Sequence, residues 1–254
     1  MKQSRSEFWS GEEYDAQYGN YCSDEISFFQ DLMLHRNVLS LLDVCCGTGL
    51  VTIPLSKKLS HAVGIDFSRS MVDFAKSKSS NISNVTFYEK DAVSFDLKSV
   101  FDLIIMTGNA FQAFLADTDL SSMLENVKKH MHGNSFFVFD CRLPCPKYFE
   151  TTHNYEYWSS YTSYSGENVD VYGLDSRHPT LSNTMLHRVR REYENGMQYQ
   201  SYIELKYRSI NEIGDRLEQH GLQLVERYAD WKKTPLTESS TSFVGVVRPL
   251  YRDH

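Results

Sequence analysis

Leu41-Leu42-Asp43-Val44-Cys45-Cys46-Gly47-Thr48-Gly49-Leu50-Val51 is the stretch on which the reading of this chain turns. An apolar run leads into an aspartate, a tight turn with two glycines follows, and an apolar-periodic segment resumes. The pattern predicts a strand, a glycine turn and a helix start. Glycine allows a sharp turn and lets a ligand approach the backbone with no Cβ in the way. The helix start offers free N–H groups and a partial positive charge.

Downstream, strand and helix signals alternate. His61-Ala62-Val63-Gly64-Ile65-Asp66 predicts a short strand ending in an acid, after a helix running to about Leu59. Ser68 is placed to cap a helix with Met71, Phe74 and Ala75 on its apolar face. Residues 84–88, 101–106 and 135–140 predict three more strands, followed in turn by Asp91-Ala92, by Thr107-Gly108-Asn109 and by two prolines, Pro144 and Pro146. Between the last two strands, a helix from about Thr118 ends in Lys128, Lys129 and His130 before Gly133. Upstream, Ser23 reads as an N-cap with Asp24 and Glu25 in the first turn, and residues 7–22 are rich in aromatics. Such alternation implies a parallel sheet covered on both faces. Ligands of such sheets bind beyond the carboxyl ends of the strands, which puts residues 45–49, Asp66, Asp91 and residues 107–111 on one rim.

The pattern changes over residues 147–208. This stretch holds ten of the sixteen tyrosines, and Asn195-Gly196 predicts a type I′ hairpin between alternating segments. Ser209-Ile210-Asn211-Glu212 then reads as a capping box, Gly221 as a helix stop, and residues 222–228 and 242–247 as two last strands. The organisation expected is an α/β domain made of residues 1–146 and 209–254, interrupted by an antiparallel β-sheet, residues 147–208, serving as a lid and substrate-binding region.

Composition narrows the function classes. The formal net charge of −7 and the lack of a Lys/Arg-rich run argue against a nucleic-acid duplex as the main partner. No apolar run approaches the length of a membrane span, and Met1 to Glu7 shows no apolar leader. Cys22, Cys45, Cys46, Cys141 and Cys145 are odd in number and lack zinc-site spacing, so no metal is expected and a reducing cytoplasm is the simplest home. Nothing in the sequence specifies an oligomeric state.

Two cofactor classes use a glycine turn of this kind. The dinucleotide pattern G-x-G-x-x-G fails in both frames, meeting Thr52 or Leu50 where its third glycine belongs and, in the second frame, Cys45 in place of its first. The turn resembles motif I of the class I S-adenosylmethionine (SAM)-dependent methyltransferases, an acid followed by x-G-x-G-x-G. Asp43, Gly47 and Gly49 match, and Cys45 replaces the first glycine. The resemblance extends from about Tyr14 to Pro249 and implies a Rossmann-like seven-stranded sheet of order 3-2-1-4-5-7-6 with the last strand antiparallel. It implies that Gly47 and Gly49 approach the methionine part of SAM and that Asp66 accepts from the ribose hydroxyls. Phe67 and Met71 would pack near the adenine, and Asp91, with the Ala92 N–H, would meet its polar edge. Thr107, Gly108 and Asn109 would lie between cofactor and acceptor, with Tyr14 and Tyr18 over the cofactor. Each has a plainer reading: Asp43 anchors its turn, Asp66 helps cap a helix, Asp91 is a loop acid, Asn109 bonds within its own loop, and the tyrosines pack.

The expected activity is methyl transfer from SAM to a small-molecule amine or hydroxyl. A methyltransferase acting on a protein or RNA partner, a non-catalytic SAM-binding module, and a dinucleotide-dependent oxidoreductase stand as alternatives. His153, His178 and His187 are available as general bases, with nothing in the sequence to single one out.

Overall fold

The computed structural model describes residues 7–250. The segment read above as carrying no leader lies, apart from Glu7, outside them. Seven strands make one mixed sheet in the order β10-β11-β5-β4-β1-β2-β3. They are β1 (Ser40–Val44), β2 (His61–Asp66), β3 (Val85–Glu89), β4 (Phe101–Met106), β5 (Met131–Arg142), β10 (Leu222–Tyr228) and β11 (Ser242–Pro249). Only β11 runs antiparallel to its neighbours. Counting the last two strands as six and seven, this is the order 3-2-1-4-5-7-6. Burial explains the parallel part: all five residues of β1 are buried, as a strand covered on both faces requires.

Helices cover both faces. Phe28, Phe29, Leu32 and Met33 of α2 (Ser23–Arg36), Leu55 of α3 (Thr52–Ser56), and Val72 and Ala75 of α4 (Arg69–Lys78) pack against one face. Leu120, Met123, Leu124 and Val127 of α5 (Asp117–Lys129) and Ile213 and Leu217 of α6 (Ile210–Gln219) pack against the other. Ser68 caps α4 through the Met71 N–H, and the Ser209–Glu212 capping box of α6 is complete in both directions.

Between β5 and α6 the chain builds a second, four-stranded antiparallel sheet of β6 (Glu156–Thr162), β7 (Asn168–Arg177), β8 (Thr184–Tyr193) and β9 (Gln198–Lys206). Its buried face carries Val169, Val171, Met185, Val189 and Arg191, alternating with more exposed neighbours. Asp117 gathers Lys206, Arg208 and Arg216, which ties the end of β9, the link after it and the last turn of α6 to the start of α5.

Several local expectations need correction. Residues 11–18 form a helix, α1 (Gly11–Tyr18), whose start is the Ser10-x-x-Glu13 signature, with Ser10 Oγ accepting the Glu13 N–H. Ser23 is the first residue of α2, not its cap; Cys22 holds that position without a side-chain bond. The helix after the glycine turn stops at Ser56 rather than Leu59. The fifth strand begins at Met131 rather than at Ser135, directly after the α5 end, which has Lys128 and Lys129 in its last turn and His130 as its cap, as read. The Asn195-Gly196 hairpin forms, but only Gly196 has positive φ (83°), and Gly196 N–H bonds Tyr193 O. That is a three-residue loop closing on a left-handed glycine, where a type I′ turn would need Asn195 left-handed as well.

Candidate functional site

The glycine turn is built on left-handed backbone. Cys45, Gly47 and Gly49 have φ of 63°, 53° and 77°. Cys45 therefore keeps the conformation of the glycine it replaces, at a strain of about 1–2 kcal/mol. A Cβ on Gly49 would sit 2.7 Å from Phe87 Cζ, so the turn is moulded over the β3 aromatic. A Cβ on Gly47 would meet only Tyr14 Cε1, at 3.9 Å, which leaves that backbone approachable from the side of α1.

Acids converge on this turn. Asp66 ties two loops together, its Oδ2 accepting the Gly47 N–H (2.9 Å) and its Oδ1 the Ser68 N–H (2.8 Å). Asp43 anchors α3 through the Thr52 hydroxyl (2.6 Å), not through backbone N–H groups. Its Oδ1 is buried and without a partner, and burial, reinforced by the charges of Asp66 and Glu25, pushes its pKa up to about 7. Asp140, at the end of β5, takes the Asn109 N–H (3.1 Å) and is likewise raised to about 7 by burial, with Glu25 adding to the shift. Glu25, in the first turn of α2, is itself raised by burial. Four carboxyl groups thus share one low-dielectric rim, which favours a cationic ligand.

Helix α1 closes over this rim. Asp15 accepts from the Thr48 hydroxyl of the turn and from Lys78 of α4. Tyr14 packs at a tilt against Tyr18 (4.8 Å between centroids), and burial raises both hydroxyls, Tyr18 to about 12. On its other side, Glu13 receives the hydroxyls of Tyr161 (2.7 Å) and Tyr193 (3.1 Å) from the second sheet. Arg191 of β8 reaches Gln17 and the buried Glu7. The second sheet therefore meets the sheet of β1–β5 through α1. A cleft of about 510 Å³ opens between α1 and the edge strand β6; it borders Tyr18 but no residue of the glycine turn.

The remaining predicted residues divide. Phe67 lies edge-on to Phe8 (5.9 Å) above the β2 end. Asp91 makes an Asx-type bond to the Val93 N–H (3.2 Å), in a loop joined to β2 by the bond from Lys90 N to Asp66 O. Met71 is fully buried under α4 and Ala92 is almost fully buried in the core, so neither side chain offers surface to the rim. Asn109 has φ 59° and bonds Asp140 through its backbone, while Thr107 and the exposed Gly108 lead into it. Of the three histidines, His187 pairs with Asp175 (2.8 Å) and keeps a buried Nε2 without a partner, and His178 pairs with Glu204 (3.2 Å). Sequence reasoning missed Glu25 and Asp140 as members of this rim; Asp140, an acid closing an apolar strand as Asp66 does, carried a local signal.

Residues 41–134 match the model of a family described as a methyltransferase domain. A SAM-dependent methyltransferase of Clostridium acetobutylicum ATCC 824 has the same architecture, with a TM-score of 0.80, 17% identity and coverage of 94% of this chain and 96% of that one. The chain has a class I SAM-dependent methyltransferase fold. A second methyltransferase structure, the sugar N-methyltransferase KedS8 from Streptoalloteichus sp ATCC 53650, aligns with a TM-score of 0.71 and 22% identity over 93% of both chains. Among curated sequences, the 23S rRNA (uracil(1939)-C(5))-methyltransferase of Legionella pneumophila (strain Lens) is 32% identical over 100 residues, 39% of this chain. This chain spans about a fifth (21%) of that relative's length. The rim has the chemistry to hold SAM, the cofactor named for the first of these structures: SAM carries a sulfonium and an ammonium, and the rim offers buried carboxylates with an unpartnered Asp43 oxygen.

Proposed function

We propose that this methyltransferase moves a methyl group from SAM to an amine or hydroxyl of a small molecule. The observation that carries the donor side is the buried Asp43 Oδ1, without a partner on an acidic glycine-turn rim. Leaving such an atom unpaired costs about 1–3 kcal/mol, which a cationic ligand would recover. In this reading Asp66 and Ser68 hold the ribose side, and Gly47 and Gly49 admit the methionine part. Phe67 covers the adenine with Asp91 at its polar edge. Met71 supports that loop from beneath. Tyr14 and Tyr18 close the site from α1.

SAM, when bound, supplies a methyl group already activated by positive sulfur. The chain's own residues align the acceptor and exclude water. Helix α1 and the second sheet, residues 147–208, are the parts proposed for the second task.

Two facts favour a small acceptor over RNA. The likeness to the rRNA methyltransferase is confined to 39% of this chain, whereas the sugar N-methyltransferase aligns over 93% of it, a share that must include most of the second sheet. The net charge of −7 is also opposite to what a phosphate backbone attracts. The test is calorimetry with SAM, followed by a screen of small amines, alcohols and RNA with labelled methyl donor. Asp66→Ala should weaken SAM binding by about 1.5–3 kcal/mol. Unchanged SAM affinity in that variant would dismiss the assignment of the β2 end, and label entering RNA alone would dismiss the acceptor class.

A further inference from the structure

Arg142 is the last residue of β5, two places beyond Asp140 in a regular ladder with β11, where Asp140 faces Val244 and Arg142 faces Ser242. Alternation puts both side chains on one face of the strand, while Phe139 and Cys141 pack into the core on the other. Among the described residues no carboxylate forms an ion pair with Arg142, although Arg36, Arg190, Arg191, Arg208 and Arg216 all have one.

Donors gather around it. Gln112 Oε1 accepts the Arg142 backbone N–H (3.2 Å), and the other end of the same amide, Nε2, is buried without a partner. The hydroxyl of Tyr207, just past β9, is buried under the stacked ring of Tyr148 (5.5 Å) and faces the Arg142 guanidinium, with its own O–H left without an acceptor. Arg142 is the cation nearest in effect to that hydroxyl, offsetting the burial that raises it, and its charge is felt at Tyr18 and Asp140 as well. A guanidinium without a carboxylate partner, beside a buried O–H and a buried N–H that lack acceptors, calls for an anion, since each buried donor left unmet costs about 1–3 kcal/mol. One cation suits a group of single negative charge, and the guanidinium fork suits a carboxylate. The acid two residues earlier suits a cation about 7 Å away along the strand.

We propose that the methyl acceptor is a small amino acid-like zwitterion, its amine at Asp140 and its carboxylate held by Arg142, Tyr207 and the Gln112 amide. The proposal rests on the methyltransferase reading above and gives it a substrate class. The ammonium loses its proton to the Asp140 carboxylate. The freed nitrogen lone pair forms the new N–C bond to the methyl carbon, the C–S bond breaks, and its electron pair stays on sulfur.

The experiment uses the full chain saturated with the demethylated product of SAM. It is titrated with amino acids, their decarboxylated amines, their amino-free acids and phosphorylated amines, and the same panel is screened for label transfer. At least one amino acid should bind and be methylated, and its decarboxylated and amino-free partners should bind at least about ten-fold more weakly. Arg142→Gln should lose about ten-fold or more for that amino acid, with SAM affinity unchanged and the melting curve checked for folding. Arg142→Lys, which keeps the charge and loses the fork, should fall between them. Wild-type affinity for the amino acid in Arg142→Gln, binding only of compounds without a carboxylate, or no amino acid bound by a chain that binds SAM would each overturn the proposal. A wild-type chain that fails to bind SAM would remove the methyltransferase reading itself, and this proposal with it.

Discussion

Along the glycine-turn rim the unpartnered buried group is an acceptor, Asp43 Oδ1, among other acids. Just beyond Asp140 on β5 and against the second sheet, Gln112 Nε2, Tyr207 Oη and Arg208 Nη1 are buried donors without acceptors. The two regions are therefore suited to opposite charges. They also differ in how they are assembled. The rim's central residues, Asp43, Gly47 and Asp66, fall in consecutive strand ends of one unit, whereas Gln112, Arg142 and Tyr207 come together only when two sheets dock.

If docking holds the second region together, its buried ion pair should matter most. Arg191 and Glu7 are 3% and 8% exposed, so Arg191→Ala leaves a buried carboxylate uncompensated. We expect a loss of about 3–5 kcal/mol in denaturant unfolding. A loss below 1 kcal/mol would mean that the two sheets do not depend on this contact.

Two glycines sharpen the contrast next. Gly49→Ala adds left-handed strain and a clash with Phe87, and should cost about 2–5 kcal/mol and abolish SAM binding. Gly196→Ala meets nothing within 4 Å at φ 83°, so only strain of about 1–2 kcal/mol is expected, with SAM binding intact. Equal effects in urea titrations of the two variants would erase the distinction between a packed turn and an open one.

Titration separates the regions more gently. Asp43 and Asp140 move from an ordinary value of 3.8 up to about 7 because burial disfavours their charged forms. Between those values the folded chain holds protons that the unfolded chain releases. The stability they contribute is present below pH 3.8 and is lost as pH rises through about 7. SAM, as a cation, should prefer the ionised rim, so its affinity should rise by up to about ten-fold from pH 6 to 8 with proton release. Calorimetry in buffers of different ionisation enthalpy would read that proton, and a flat profile would show that the rim does not titrate against SAM.

The smallest effect is expected at Cys45→Gly. Relief of left-handed strain is opposed by the greater freedom of glycine in the unfolded chain, leaving a gain within about 1 kcal/mol and unchanged SAM affinity. A marked loss of either would give the Cys45 side chain a role beyond its backbone.

What the sequence made legible follows the same division. The sheet order followed from the family resemblance carried by the glycine turn, while the Ser68 cap and the Ser209–Glu212 capping box were readable because each rests on residues within one turn of one another. Helix α1 escaped notice because its cap signature precedes a polar segment with little apolar stripe; it is held by Asp15, Glu13 and Gln17 reaching other elements. The short α3 and the Gly196 loop differ from expectation in termini and turn type, which neighbouring strands decide. Asp140 could have been read as a strand-end acid. Arg142, Gln112 and Tyr207 had no local pattern, since nothing in a single segment announces a donor that will be left without an acceptor.

Glu13 and Asp15 stand two residues apart on α1, about 200° around the helix. One holds Tyr161 and Tyr193 of the second sheet, the other holds Thr48 beside Gly47. A rotation of α1 that loosens one grip must disturb the other. If the methyl donor binds at the turn and the acceptor against the second sheet, the two cannot be independent: whatever free energy the first gains by settling this helix is returned to the second in equal measure. The kinetic counterpart is a preferred order of loading, with the donor's dissociation constant shifting when acceptor is present by the same factor as the acceptor's when donor is present.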